Sequence, residues 1–264
     1  MRKNKIKEKL QHGKSVVGTF QGFNSPDLTE MCGYTGYDFV ILDTEHGPMS
    51  AETCIPMICA AERSGVVPII RVSENEKTYV LKALDVGAMG IIFPMINIIE
   101  DAVKAISLTR YIRNHNDMRT EFRGIVDVSR AAQYGMTAGL NSHMTTSNKE
   151  IMIILQMETA ESVKNIEEIL KLPEIDVILI GSLDLSQSLG YPGDVHHPVV
   201  QGVIKKAIKK IISAGKAVGM VIPSTDALQH WFDLRVSFFT YHQTYMFRDV
   251  LQKHVSEFHR ITGH

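Results

Sequence analysis

The chain has 264 residues, 44% of them hydrophobic and 22% charged, and a formal net charge of -1. That length is close to the roughly 250 residues of a (β/α)8 barrel, and the composition is that of a folded globular protein. The near-neutral balance gives no electrostatic case for nucleic acid or an acidic membrane surface, and no stretch approaches the roughly 20 apolar residues of a membrane span.

The basic start, Met1 to Leu10, has no apolar segment behind it and so does not read as a secretory signal. Ile6 and Leu10, four apart, predict a short amphipathic helix lying across a barrel floor. A strand over 15–20, a polar turn and a helix from about Ser25 or Asp27 to Gly33 follow. The next strand ends at Asp43, and Ser50 suits the N-cap of a helix reaching Arg63, with Glu52 in its first turn. A strand ending at Arg71 comes next, then a helix from about Lys77, a strand over 90–94 and a helix over 99–111.

Residues 113–149 interrupt this alternation with a polar stretch rich in Asn, Ser, Thr and Met, far longer than the roughly 4–6 residues of an ordinary connection. An extended loop with a short helix near 129–134 is expected there. Strands are then predicted over 151–156, 176–180, 216–220 and 236–240, and helices over 160–170 and 196–214, from about Thr225 and from Tyr245. The reading is one α/β domain over 1–264, a (β/α)8 TIM barrel with a loop insertion at about 113–149. Cys32, Cys54 and Cys59 lack C-x-x-C spacing, so no disulfide framework or zinc ribbon is expected. Cys54 and Cys59 are read as small apolar residues of a helix, and the expected compartment is the reducing cytoplasm.

Four apolar runs carry the functional reading, because each ends in polar, reactive side chains. Phe39 to Leu42 runs into Asp43-Thr44-Glu45-His46, Val66 to Ile70 into Arg71, Ile151 to Leu155 into Gln156-Met157-Glu158, and Val177 to Ile180 into Gly181-Ser182-Leu183-Asp184. Unbroken runs suit parallel strands buried on both faces, and the carboxyl ends of barrel strands surround one mouth. Glu158 and Asp184 would supply hard oxygen ligands with open positions for water and substrate, which suits Mg2+ or Mn2+ better than zinc. Taken alone, Asp184 reads as a helix cap and Glu158 as a partner for a surface lysine; the matched strand ends favour the joint metal reading.

Asp43, three residues before His46, is placed to hold one ring nitrogen and leave the other as a general base, the alternative being a solvent-facing histidine. Arg71 needs an anion, either a buried carboxylate or a substrate oxygen. Gly181-Ser182-Leu183-Asp184 reads as an anion nest or as a plain turn. No G-x-G-x-x-G, P-loop or G-x-S-x-G pattern occurs.

These segments, with Leu84-Asp85-Val86-Gly87-Ala88, Pro94-Met95, Arg123-Gly124, Ser129-Arg130-Ala131 and Leu189-Gly190-Tyr191-Pro192-Gly193, resemble the HpcH/HpaI aldolase family in order and over nearly the whole chain. The resemblance implies a metal-dependent class II aldolase on a (β/α)8 barrel that cleaves 4-hydroxy-2-keto acids to pyruvate and an aldehyde. It implies that Glu158 and Asp184 bind a divalent ion, Mg2+ or Mn2+ with Co2+ as a third candidate. Gln156 and the backbone of Gly181, Ser182 and Leu183 would hold the pyruvate end. Arg71 would stabilise the enolate oxygen, and His46, oriented by Asp43, would act with water on the ion as the base. A homo-oligomer is implied too, commonly a hexamer with the last helix exchanged, and no nucleic-acid or membrane partner.

The chain departs from the family at Ser182, where a proline is usual, and at Phe20, where a tryptophan is usual. In strand eight it departs at Tyr241 and Gln243, where the family has a glycine and an aspartate. A tyrosine at the mouth would narrow the pocket or touch the aldehyde. Two other functions are weighed beside the aldolase: an acyl-CoA lyase of the citrate-lyase kind, and a barrel that binds a keto acid without turnover.

Overall fold

In the computed structural model, which describes residues 2–112, 121–137 and 139–263, eight parallel strands close into a barrel in chain order. They are β1 (Val16–Gln21), β2 (Phe39–Asp43), β3 (Val67–Arg71), β4 (Gly90–Phe93), β5 (Met152–Met157), β6 (Val177–Ile180), β7 (Ala217–Val221) and β8 (Phe238–His242). Alternate side chains point to opposite faces of each strand. Phe20, Phe39, Ile41, Ile69, Ile154, Leu179 and Phe238 fill the barrel interior. Val40, Leu42, Ile70, Ile153, Ile178 and Met220 pack outward against the helices. Both faces are dry, which is why the strands read as uninterrupted apolar runs.

One glycine is required by this packing. The Phe39 and Phe238 rings stack at 4.2 Å inside the barrel, and a Cβ on Gly18 would lie 2.2 Å from the Phe39 ring.

The outer ring includes α2 (Pro26–Tyr34), α3 (Ala51–Ser64), α4 (Lys77–Asp85), α5 (Ile99–Thr109), α7 (Ala160–Ile169) and α9 (Pro198–Ser213). Ser50 caps α3 as expected, its hydroxyl accepting from the Thr53 N–H, and Gly65 ends that helix at φ 81°. The floor is closed by α1 (Lys5–Gln11), whose Ile6 is fully buried in the interior cluster. Asn4 caps it and donates to the Met89 and Glu150 carbonyls at 2.9 and 3.0 Å. Cys54 is buried as expected, but Cys59 is exposed on the far side of α3, beside the Arg130 guanidinium. All three cysteines are free.

The stretch between α5 and β5 differs from expectation. The short helix near 129–134 is a single 3-10 turn at Gln133–Gly135, and a full helix, α6 (Leu140–Glu150), follows it. Residues 113–120 and 138 of that predicted loop lie outside the described residues. The buried face of α6 is polar, so apolar periodicity does not reveal it. His143 meets the Tyr111 hydroxyl, Asn148 bonds both backbone groups of Tyr111, and Glu150 accepts the Asn4 N–H at 2.7 Å.

The C-terminal quarter adds α8 (Ser182–Ser188), α10 (Leu228–Asp233) and α11 (Gln243–Thr262). Strand eight runs two residues further than expected. Its ladder with β1 pairs Phe20 with His242, so His242 and not Thr240 is its last residue.

Candidate active site

Neighbouring strands in parallel register place the first pair. Asp43 and Arg71 are direct partners across β2 and β3, so both side chains turn to the same face at the carboxyl end. Arg71 Nε and Nη2 donate to the two Asp43 oxygens at 2.8 and 2.6 Å, a bidentate fork. Its Nη1 lies 3.1 Å from Glu45 Oε2, at ion-pair distance but not aligned for a hydrogen bond. The Phe20 ring lies 4.7 Å from the guanidinium carbon. Burial pushes the Asp43 carboxyl up, but the bonds and charge of Arg71 outweigh it and hold the group below its ordinary range. Burial holds Glu45 above its ordinary range despite Arg71, with the charges of Glu158 and Asp43 adding to the effect.

This geometry corrects one expectation. Asp43 does not hold the His46 ring. Its carboxylate is engaged by Arg71 and touches His46 only through the backbone N–H, at 3.4 Å. The His46 side chain is 69% exposed at the cavity rim, and its Nε2 lies 4.0 Å from Glu45 Oε1. Among the described residues Glu45 is the one carboxylate at ion-pair distance from this imidazole.

Across the mouth, Gln156 and Glu158 leave β5 on the inward side, both buried. Glu158 Oε1 accepts the Met95 N–H at 2.7 Å, and Oε2 accepts from Gln156 Nε2. Met95 presents that N–H from left-handed backbone, φ 54°, a strained conformation for a residue with a side chain. Burial raises the Glu158 carboxyl above its ordinary range; the Met95 and Gln156 bonds lower it, and nearby Asp184 raises it further. Gln156 Oε1 is buried and has no hydrogen-bond partner among the described residues.

Gly181 follows β6, and α8 begins at Ser182, which puts Asp184 in its first turn. A Cβ on Gly181 would lie 2.7 Å from Glu158 Oε2 and 2.8 Å from Glu158 Cβ. Gly181→Ala should therefore displace the Glu158 carboxylate and cost about tenfold or more in kcat/KM, at about 1–3 kcal/mol of strain, read from steady-state rates beside a thermal melt.

Asp43, His46, Arg71, Gln156, Ser182 and Asp184 share one cavity of about 500 Å3, with Gly181 and Leu183 also on its wall. Glu158 sits immediately behind Gly181 and Gln156. Two carboxylates and an unpartnered amide oxygen form a hard oxygen donor set with room for further ligands, which fits a divalent ion such as Mg2+. Among the described residues no group of three or more His, Cys, Asp or Glu could hold a metal ion, here or elsewhere, so an ion at this site would rest on two carboxylates, the amide oxygen and outside ligands. A larger cavity, about 750 Å3, opens at the opposite end of the barrel. Its charges are largely paired, Arg2 and Arg130 with Glu62 and Lys3 with Glu8, and it faces away from the strand ends.

Three polar lining residues were missed in the sequence: His242, Tyr245 and Arg248. Tyr241, expected at the mouth, turns outward into a groove with Asp38, Leu228 and Phe232. Gln243 is also turned away from the mouth and donates to Cys32 Sγ at 3.3 Å. Strand parity was the available signal, since Phe238, Thr240 and His242 share one face of β8.

The family profile described as HpcH/HpaI aldolase/citrate lyase matches residues 17–234. The 2-keto-3-deoxy-L-rhamnonate aldolase of Escherichia coli (strain K12) is 32% identical over 227 residues, covering 86% of this chain and 82% of that enzyme. A solved HpcH/HpaI aldolase/citrate lyase family protein from Burkholderia cenocepacia J2315 superposes with a TM-score of 0.90 at 28% identity, over 96% and 98% of the two chains. The crystal structure of the citrate synthase SbnG superposes with a TM-score of 0.82 at 27% identity, over 97% and 98% of the two chains. The chain therefore belongs to the HpcH/HpaI aldolase/citrate lyase family, and it is a carbon–carbon lyase of the aldolase kind.

Proposed function

We propose that this enzyme cleaves, or forms, a 4-hydroxy-2-keto acid to give pyruvate and an aldehyde, with Glu158 and Asp184 holding Mg2+ or Mn2+. The observation that carries the reading is the shared cavity itself, with Arg71 and His46 on one side and Gln156 and Asp184 on the other. A bound divalent ion would act as a Lewis acid on the keto oxygen. Gln156 and the backbone N–H groups of Ser182 and Leu183, unpaired in the first turn of α8, hold the pyruvate carboxylate, and Gly181 permits the close approach. His46, steadied by Glu45, takes the proton of the 4-hydroxyl. The C3–C4 bond then breaks, its electron pair passes to the pyruvate enolate, and the aldehyde departs. Arg71 has five N–H donors, of which Asp43 engages two in hydrogen bonds, so three remain, on Nη1 beside Glu45 and on Nη2, for the developing enolate oxygen. Protonation at C3 completes pyruvate.

The test is proton NMR of the pyruvate methyl group in deuterated buffer. Exchange should require Mg2+ or Mn2+ and stop on chelation, and Co2+ is the third ion to try. Ion-independent exchange would overturn the reading. So would cleavage of malyl-CoA in place of free hydroxy keto acids, the alternative that the likeness to a citrate synthase keeps in view.

A homo-oligomer belongs to the same proposal. The helix α11 carries Val250, Leu251, Val255, Phe258 and Ile261 exposed along its length, an apolar surface of the kind buried between subunits. No helix among the described residues is long and apolar enough to cross a membrane. A cytoplasmic setting is proposed from the free cysteines.

A further inference from the structure

We infer that the cavity at the floor of the barrel is a second binding site, and that it takes a small aromatic anion, a flat apolar body carrying one carboxylate. At about 750 Å3 it is larger than the cavity at the mouth. It opens where β3 and β4 begin, at the end of the barrel opposite Arg71 and Glu158. The proposed reaction gives it no part, and the site stands whether or not pyruvate exchange is observed.

Its base is apolar. Val66, Val67, Pro68 and Met89, at the starts of β3 and β4, form it, and all four are buried. One wall is the turn that follows Arg130, and that wall is pinned. The Arg130 guanidinium donates to the two Glu62 oxygens at 3.1 and 2.7 Å and to the Val86 carbonyl at 3.0 Å. It lies so close over Gly87 that a Cβ there would be 2.7 Å from Nη1. The Ala131 N–H donates to the Asp85 carbonyl at 3.0 Å.

On this anchored turn three successive residues, Gln133, Tyr134 and Gly135, have left-handed backbone, at φ 55°, 55° and 74°. Glycine takes that conformation freely; glutamine and tyrosine do not. Strain of this kind clusters where a side chain is held ready for a ligand. The side chain held here is the Tyr134 ring, 58% exposed on the cavity wall. A packing role would bury such a ring, whereas an exposed aromatic face beside an apolar base is a stacking platform.

Charge selects the ligand. The lining holds four cationic side chains, Arg2, Lys3, Lys5 and Arg130, and two acidic ones, Glu8 and Glu62. Arg2 and Arg130 share Glu62, and Lys3 takes Glu8. Lys5 has no ion-pair or hydrogen-bond partner among the described residues. An ammonium only donates, so a carboxylate satisfies it and offsets the surplus charge, which a neutral polar group does not. The plainer alternative is that the cavity holds only water and Lys5 serves the C-terminal end of α3, since its Nζ lies 3.7 Å from a Cβ position on Gly65.

The probes that separate these are 2-naphthoate and its neutral isostere 2-naphthamide. Each is titrated by its own fluorescence into the intact chain, with Mg2+ and saturating pyruvate present to occupy the mouth. 2-Naphthoate should bind with Kd below about 1 mM and about fivefold more tightly than the amide, a modest ratio because Lys5 is exposed. Lys5→Met should bring the two probes within about twofold of each other. Tyr134→Gly removes the ring and relieves the strained φ, so affinity for both probes should fall at least about fivefold while the thermal melt moves no lower. That combination separates a lost platform from a damaged fold. Failure of 2-naphthoate to bind, its displacement as pyruvate is raised, equal binding of the amide, or affinities unchanged in both variants would overturn the inference.

Discussion

Glu158→Gln is expected to lower metal-dependent exchange of the pyruvate methyl protons by at least about a thousandfold while leaving the barrel folded. The amide keeps the volume of the carboxylate and can still accept the Met95 N–H. What it loses is the charge that attracts a cation. That charge is costly to bury: burial holds the Glu158 carboxyl above its ordinary range, with Asp184 adding repulsion. A neutral side chain relieves both effects, so the metal-free variant should melt no lower than the metal-free wild type, and by the same argument somewhat higher. Loss of function without loss of stability marks a site maintained against its own folding energetics. Asp184→Asn should lose exchange as well, and both variants should bind Mn2+ more weakly in a direct titration. Wild-type exchange together with wild-type ion affinity in Glu158→Gln would leave the buried carboxylate without its proposed role.

The barrel was legible because its physics is periodic. Eight apolar runs buried on two faces leave little alternative, and a glycine such as Gly65 ends its helix where the sequence changes character. The helix α6 was not legible, because its inward face is held by His143, Asn148 and Glu150, whose partners lie far away in the chain. The strand ends proposed to carry the site do line one cavity. The pairing among them was not. Asp43 lies three residues from His46 in sequence but is the ladder partner of Arg71 in space. A cation on the neighbouring strand outcompetes a histidine on the following turn, since a bidentate fork between buried groups is stronger than a bond to a rim imidazole. At β8 the error was one of phase. A one-residue shift exchanges inside for outside, so attention fell on Tyr241 and Gln243 while the inward His242 passed unnoticed.

That pairing leads to the second large effect: Asp43→Asn and Arg71→Lys should be strongly coupled, and Asp43→Asn and His46→Ala should be nearly additive. Each change at the Asp43–Arg71 pair is expected to cost about a hundredfold in kcat/KM, because the guanidinium loses the fork that aims it. Once the fork is broken by either substitution, the other has little left to remove, so the double variant should fall short of additivity by about 1–3 kcal/mol. His46 touches Asp43 only through its backbone N–H, so a cycle between those two side chains should close to within about 0.5 kcal/mol.

Stability gives a second, independent readout of the same geometry. Removing the carboxylate leaves a buried guanidinium with Glu45 alone, a loss of about 3 kcal/mol at neutral pH. The sign of the pH dependence follows from Arg71 holding Asp43 below its ordinary range. The stabilisation is complete above the unfolded value of roughly 4 and is lost as pH falls through the lower folded value. Melting curves of wild type and Asp43→Asn should therefore stand apart at pH 7 and converge below about pH 4. His46→Ala, which alters a largely exposed ring, should melt with the wild type throughout. Strong coupling between Asp43 and His46, with additivity between Asp43 and Arg71, would instead make the carboxylate an orienting group for the base and leave Arg71 to find its own position.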